Sequence, residues 1–127
     1  DYLISLLRPG HIRGLTLLGG EPMEPDNQRA LLPFLRRVKA ECPGKDIWCW
    51  SGATYERLHT DGDHFRCEIT DELLSLLDVL VDGLFVEALK DLSLRFRGSS
   101  NQRLIDLNAT RRTGALTFLP DRDRSRM

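Results

Sequence analysis

Three short stretches of this 127-residue sequence place chemically useful groups where an apolar run stops on glycine. In "RGLTLLGGEPMEP", residues 13–25, the run closes on Gly19 and Gly20 and then offers Glu21 and Pro22. "DIWCWSG" ends on Ser51 and Gly52, and "VLVDG" ends on Asp82 and Gly83. Glycine at a strand end reaches backbone angles closed to other residues and lets a ligand approach the main chain. The carboxyl ends of parallel strands are also where α/β folds place their ligands. Taken singly, each stretch is equally well explained as a tight turn from strand to helix. The surrounding elements have to decide.

Those elements alternate along the chain. Residues 1–8 read as the end of an amphipathic helix, stopped by Pro9 and Gly10, and residues 14–18 as an apolar strand. From about Asp26 to Glu41, Leu31, Leu35 and Val38 recur at helical spacing, continued by Cys42, and Pro43-Gly44 ends the run. Pro33 lies inside it, so the helix either kinks there or begins near Leu32. A second strand covers residues 46–50, and Thr54 and Tyr55 open a short helix. Thr70 is placed to cap a helix over residues 71–77. A third strand covers residues 79–82, a short helical piece residues 86–92, and a fourth strand residues 103–107. Short, continuously apolar strands separated by helices imply a sheet with both faces covered and its strands parallel. The fold class is α/β, a mostly parallel sheet with flanking helices. In such a sheet the three glycine turns share one edge and form a rim of the kind that binds small molecules.

Bulk properties narrow the function. The length suits a single domain spanning residues 1–127, with a disordered tail over about 120–127. Eighteen basic against nineteen acidic residues leave a net charge of -1, which gives no global nucleic-acid footprint. No apolar run approaches the roughly 20 residues of a membrane helix. Cys42, Cys49 and Cys67 are an odd count without a paired framework, which points to a reducing cytoplasm. The chain opens at Asp1 inside a helical pattern without an initiator methionine, so upstream sequence is expected.

With these residues assembled, a resemblance emerges. "LTLLGGEPMEPDN" resembles the glycine-glycine-glutamate-proline segment of radical S-adenosylmethionine enzymes. "CPGKDIWCWSGATYERL", "VLVDGLFVEALKD" and "LRFRGSSNQRLIDL" are similar, in order and spacing, to the activating proteins of anaerobic ribonucleoside-triphosphate reductases. The similarity covers roughly residues 13–107. It implies part of an incomplete radical-SAM (βα) barrel, with S-adenosylmethionine and a 4Fe-4S cluster as cofactors. It also implies a reducing electron donor and, as partner, the large subunit of the reductase. There a deoxyadenosyl radical takes a hydrogen from a glycine. The family carries its cluster on a Cys-x-x-x-Cys-x-x-Cys loop well upstream of the glycine motif. This chain has no such triad, its three cysteines being spaced by seven and eighteen residues. The chain is therefore expected to be the carboxyl-terminal portion of the enzyme, with the cluster ligands upstream, no catalytic residue of its own and no activity alone.

The resemblance also assigns roles. Gly19 and Gly20 would offer backbone carbonyls to the ammonium of S-adenosylmethionine. Glu21 adds an acceptor or orients the loop, and Pro22 stiffens the turn. Asp82 either accepts from the ribose hydroxyls, as acids do in dinucleotide folds, or serves as a turn aspartate. Ser51 and Gly52 would touch the methionine moiety. In "RFRGSSNQR", Arg97 and Asn101 are the favoured contacts, in a loop that clamps the methionine carboxylate or docks the partner's glycyl loop.

Other constellations carry less. His59, Asp61, Asp63, His64, Cys67 and Glu68 have metal-binding composition, but their spacing fits no zinc or calcium loop and reads as a polar surface loop. Trp48 and Trp50 share one strand face and read as packing residues. The rival reading is a non-catalytic nucleotide- or partner-binding α/β domain that lacks the iron-sulfur cluster.

Overall fold

A computed structural model of the chain describes residues 2–10, 14–17, 20–83 and 102–119. The strands β1 (Gly14–Leu17), β2 (Asp46–Ser51), β3 (Val79–Asp82) and β4 (Arg103–Asp106) form one sheet in the order β1-β2-β3-β4. β1, β2 and β3 are parallel, with Leu17 opposite Cys49 and Ser51 opposite Asp82. β4 runs antiparallel to β3, with Val81 opposite Leu104. The mostly parallel α/β sheet read from the sequence is therefore present, and its fourth strand is the one reversed. β1 presses closely on β2: a Cβ on Gly14 would lie 2.1 Å from the Asp46 carbonyl oxygen, so only glycine fits there.

Five helices accompany the sheet among the described residues: α1 (Tyr2–Leu7), α2 (Pro25–Glu41), α3 (Tyr55–Leu58), α4 (Thr70–Ser75) and α5 (Leu107–Thr113). α2 starts on Pro25, whose fixed φ and missing N–H suit the first helical position. Pro33 does not delay the helix, which runs from Pro25 through it. Its ring is on the exposed side, while Leu32, Leu35 and Val38 bury the opposite stripe, and that packing outweighs the lost hydrogen bond. Two expectations need correction. Thr70 is not the cap of α4: Ile69 holds that position, and the Thr70 hydroxyl turns inward to accept from the Cys67 amide at 2.9 Å. The segment after β4 is a helix the sequence reading did not include, started by Asp106, whose side chain accepts from the Ala109 amide. The helical piece expected over residues 86–92 and the tail over 120–127 lie outside the described residues.

Alternation along the strands divides the apolar residues between two faces. Ile47, Cys49, Leu80 and Ile105 join Leu32, Leu35, Val38, Leu73 and Leu77 in the main core. Val79, Val81 and Leu104 form a smaller cluster on which the half-buried Trp48 and Trp50 pack, as expected of packing residues. Among the described residues, no helix is long and apolar enough to cross a membrane.

The foot of the sheet, where β2 and β3 begin, is fastened by one acid. Asp78 accepts from the Ile47 amide (2.7 Å), the Lys39 ammonium (2.9 Å) and the Asn108 side-chain amide (2.9 Å). It thereby joins β2, α2 and α5. Burial pushes its carboxyl up, but hydrogen bonds from Asn108, Lys39 and the Ile47 amide more than offset that and hold it below the usual aspartate range.

Candidate functional site

At the opposite edge, the carboxyl ends of β1, β2 and β3 lie side by side, because the three strands are parallel and in register. The turn after β1 is organised by Glu21. One carboxylate oxygen accepts from the Met23 amide at 2.9 Å and the Ser51 hydroxyl at 2.6 Å, and the other accepts from the Gly52 amide at 2.7 Å. The Glu21 carbonyl in turn accepts from the Asn27 side chain (2.8 Å) and the Glu24 amide (3.1 Å). The Glu21 side chain bolts the glycine turn to the end of β2.

Gly20 precedes this bolt at φ 55, a left-handed conformation that favours glycine. It is exposed, and a Cβ built on it would meet nothing within 4 Å. Glycine is therefore demanded by the backbone angle while the space beside it stays open to a ligand. Pro22 is buried beneath the turn, and Ser51 is buried at the end of β2, where its hydroxyl also accepts from the Ala53 amide at 2.9 Å. Gly19, Arg97 and Asn101 lie outside the described residues.

Asp82 ends β3 with its side chain fully buried. It accepts from the Tyr55 amide at 2.7 Å and from Arg103 Nε at 2.9 Å, with Arg103 Nη2 a further donor. Arg103 also grips Glu56, at 3.1 Å through Nη1 and 2.6 Å through Nη2. The Arg103 guanidinium holds the Glu56 carboxyl below its ordinary value. The pair of contacts from Arg103 and the Tyr55 amide sets the start of α3, where Thr54 caps the Arg57 amide. Three donors thus occupy the two Asp82 oxygens and the side chain has no exposed surface, so a ribose contact would require the groups that cover it to move. Among the described residues, Glu21, Glu56 and Asp82 set three carboxylates against the Arg103 guanidinium at this end of the sheet.

A buried amide stands behind the rim, and the sequence reading did not single it out. Gln28 is fully buried and makes four hydrogen bonds. Its Nε2 donates to the carbonyls of Met23 (2.7 Å) and Phe65 (2.6 Å), and its Oε1 accepts from the Thr70 hydroxyl (2.8 Å) and the Cys67 thiol (3.6 Å). One signal for it was available: Gln28 falls four and seven residues before Leu32 and Leu35, a polar residue on the apolar stripe of α2.

The cysteines do not form a cluster site. Cys42 is buried with its thiol donating to the Ile4 carbonyl, and Cys67 is turned to Gln28. Cys49 is buried in β2, and burial, with the Glu21 charge adding to it, pushes its thiol up to about 12. Fully buried within a strand, this thiol is not presented to a cluster. No group of three His, Cys, Asp or Glu among the described residues is arranged to hold a metal ion. The polar loop 59–68 is instead cross-tied by ion pairs, Arg57 with Asp63, Arg66 with Asp61 and Asp71, and Arg29 with Glu68.

Comparison with known proteins places this geometry. Residues 1–105 match the family described as "4Fe-4S single cluster domain". The chain is 47% identical over 90 residues to the anaerobic ribonucleoside-triphosphate reductase-activating protein of Pasteurella multocida (strain Pm70), covering 71% of this chain and 53% of the relative. It is 43% identical over 104 residues to the protein of that name from Escherichia coli (strain K12), covering 80% of this chain and 62% of the relative. Against the protein of that name from Enterobacteria phage T4 it is 38% identical over 102 residues, covering 80% and 58%. The chain thus spans between about half and three fifths of the length of these relatives. No solved structure matches it. By the match over most of its length, the chain belongs to the 4Fe-4S single cluster domain family, and the curated proteins it is similar to are anaerobic ribonucleoside-triphosphate reductase-activating proteins.

Proposed function

We propose that this chain supplies the S-adenosylmethionine-binding rim of a radical S-adenosylmethionine activase for an anaerobic ribonucleoside-triphosphate reductase. The sheet would be part of an incomplete (βα) barrel, the chain the carboxyl-terminal portion of the enzyme, and the setting a reducing cytoplasm with an electron donor. One observation carries the reading: the exposed Gly20, at φ 55 with open space where a side chain would stand, in a turn fixed by Glu21. Its main chain is available to a ligand ammonium, which the carboxylates of Glu21, Glu56 and Asp82, outnumbering the Arg103 guanidinium among the described residues there, would favour. Gly19, Gly20 and Ser51 would line the methionine end. Glu21 and Pro22 hold the turn, and Arg97 and Asn101 would meet the ligand carboxylate or the partner's glycyl loop. Asp82 is fully buried and would reach the ribose only if the groups covering it moved. Bound S-adenosylmethionine supplies the group that takes a hydrogen from a glycine of the reductase large subunit.

The three cysteines of this chain, two buried and one turned to Gln28, do not fit a 4Fe-4S cluster. That misfit favours a second reading, a nucleotide- or partner-binding α/β domain without catalysis. The coding sequence directly upstream of Asp1 separates the two: a three-cysteine loop there supports the activase, an initiator methionine the binding domain. The rim itself is tested by nuclear magnetic resonance titration with S-adenosylmethionine, which registers weak binding. Gly20→Val is expected to lower affinity by about tenfold or more, because it closes the open space and strains the turn. Unchanged affinity would refute the assignment.

A further inference from the structure

The polar loop 59–68 has no role in the reading above, yet it is anchored directly behind the glycine turn. Three ties fasten it there. Gln28 bridges the Met23 carbonyl to the Phe65 carbonyl at 2.7 and 2.6 Å. His64 Nε2 lies 2.8 Å from Glu24 Oε2. Arg29, one residue beyond Gln28, grips Glu68 through two bonds of 2.8 Å. Of these, only the first is buried, and a buried amide with every hydrogen-bonding group engaged fixes geometry far better than exposed ion pairs do. Gln28 is fully buried, with both donors on main-chain carbonyls and its acceptor shared by Thr70 and Cys67.

What Gln28 holds matters for the rim. Met23 receives the Gln28 amide on its carbonyl and gives its own N–H to Glu21 Oε2, the oxygen that also accepts from Ser51. A continuous run of hydrogen bonds therefore leads from the loop through Gln28 and Met23 to Glu21, and from Glu21 to Ser51 and the Gly52 amide. We infer that Gln28 is the positioning residue of the glycine–glutamate–proline turn, pinning the 59–68 loop behind Met23 as the support that keeps Glu21 on β2 and Gly20 presented. Its effect on ligand affinity rests on the rim-binding role proposed above, while its effect on the turn does not.

Two variants of the full chain separate positioning from bulk stability. Gln28→Met keeps the length of the side chain but removes the donors to Met23 and Phe65. Thr70→Val removes the hydroxyl on the other side of the same amide and leaves the Met23 bond in place. Both should lower Tm. Only Gln28→Met should speed hydrogen exchange at the Met23 and Gly52 amides, by about tenfold beyond the change at core amides of β3, and weaken S-adenosylmethionine in proportion. Equal acceleration in both variants would overturn the inference and leave Gln28 a packing residue. Faster exchange in Gln28→Met, with a wild-type chain that binds no S-adenosylmethionine at all, would uphold the positioning role and refute the rim-binding reading instead. Should Gln28→Met not fold, native-state exchange on the wild type decides: Met23 and Gly52 opening together with Phe65 and Cys67 supports the relay, and independent opening refutes it.

Discussion

The two ends of the sheet use the same device, a buried or nearly buried carboxylate that gathers donors from several elements, and reach different results. At the foot, Asp78 closes on a lysine, a side-chain amide and a strand amide. Those donors come from two helices and a strand, so the acid there ties regular elements to one another. At the rim, Glu21 and Asp82 accept from the loop amides of Met23, Gly52 and Tyr55. The loops are held but their glycine main chain stays open, with Gly20 exposed. The foot shows what this device does when it serves stability alone. At the rim it fixes loops around an accessible backbone, which is what a binding edge requires.

The cysteines are spread across that polarity, and this sets the largest expected effect. Cys42 follows the end of α2 at the foot, Cys49 lies within β2, and Cys67 packs against Gln28 behind the rim. A cluster needs its thiolates together at one end. Anaerobic treatment of this chain with iron and sulfide, then dithionite, should give no stoichiometric cluster signal by electron paramagnetic resonance and no deoxyadenosine from S-adenosylmethionine. Both signals together would break the comparison, because they would require the sheet to gather residues that it now keeps apart.

Next in size is the difference between the two acids. Asp82→Ala would strand the Tyr55 amide and leave a half-buried Arg103 with Glu56 alone, so unfolding should lose about 3 kcal/mol in urea titration. Asp78→Ala should lose less, about 2 kcal/mol, because it strands the Ile47 amide but Lys39 and Asn108 can turn to water. Equal losses would mean that the rim is no more tightly interlocked than the foot. Asp78→Ala should also leave S-adenosylmethionine binding untouched, which sharpens the assignment of ligand chemistry to the rim.

The sequence carried the strands and their common edge, but not what fastens them. Residues 46–50 and 79–82 were legible because a strand covered on both faces is a short, unbroken apolar run. The rim followed from where those runs stop. Asp78, Arg103 and Gln28 were not legible in their roles, since their side-chain partners, Met23 apart, lie 21 to 47 residues away in the chain. No local pattern marks such pairings. α5 escaped for a different reason: "LNATRRT" buries only Leu107, Ala109 and Thr110, too weak an apolar stripe to register, and its start depends on the Asp106 cap. Thr70 misled because a threonine before "DELL" has the composition of a cap, while the burial of its hydroxyl against Gln28 is decided by tertiary packing.

The smallest expected effect is in pH dependence, and it again separates foot from rim. Asp78 and Glu56 both have carboxyls below their ordinary values, Asp78 through hydrogen bonds that outweigh its burial and Glu56 chiefly through Arg103. A lowered folded value means that each contributes stability in full above its unfolded value, near pH 4, and loses it as pH falls through the folded one. Asp78→Asn and Glu56→Gln should therefore each differ most from wild type at neutral pH, with the difference shrinking below about pH 4. Salt should distinguish them. The Glu56 side chain is 61% exposed and that of Asp78 12%, so salt at about 1 M should erase most of the Glu56 contribution and spare that of Asp78. Thermal melts of both variants between pH 2 and 7, with and without salt, measure this. A Glu56 contribution that survives salt would mean the Arg103 bridge is shielded from solvent, and that the rim is closed at α3 much as the foot is closed at Asp78.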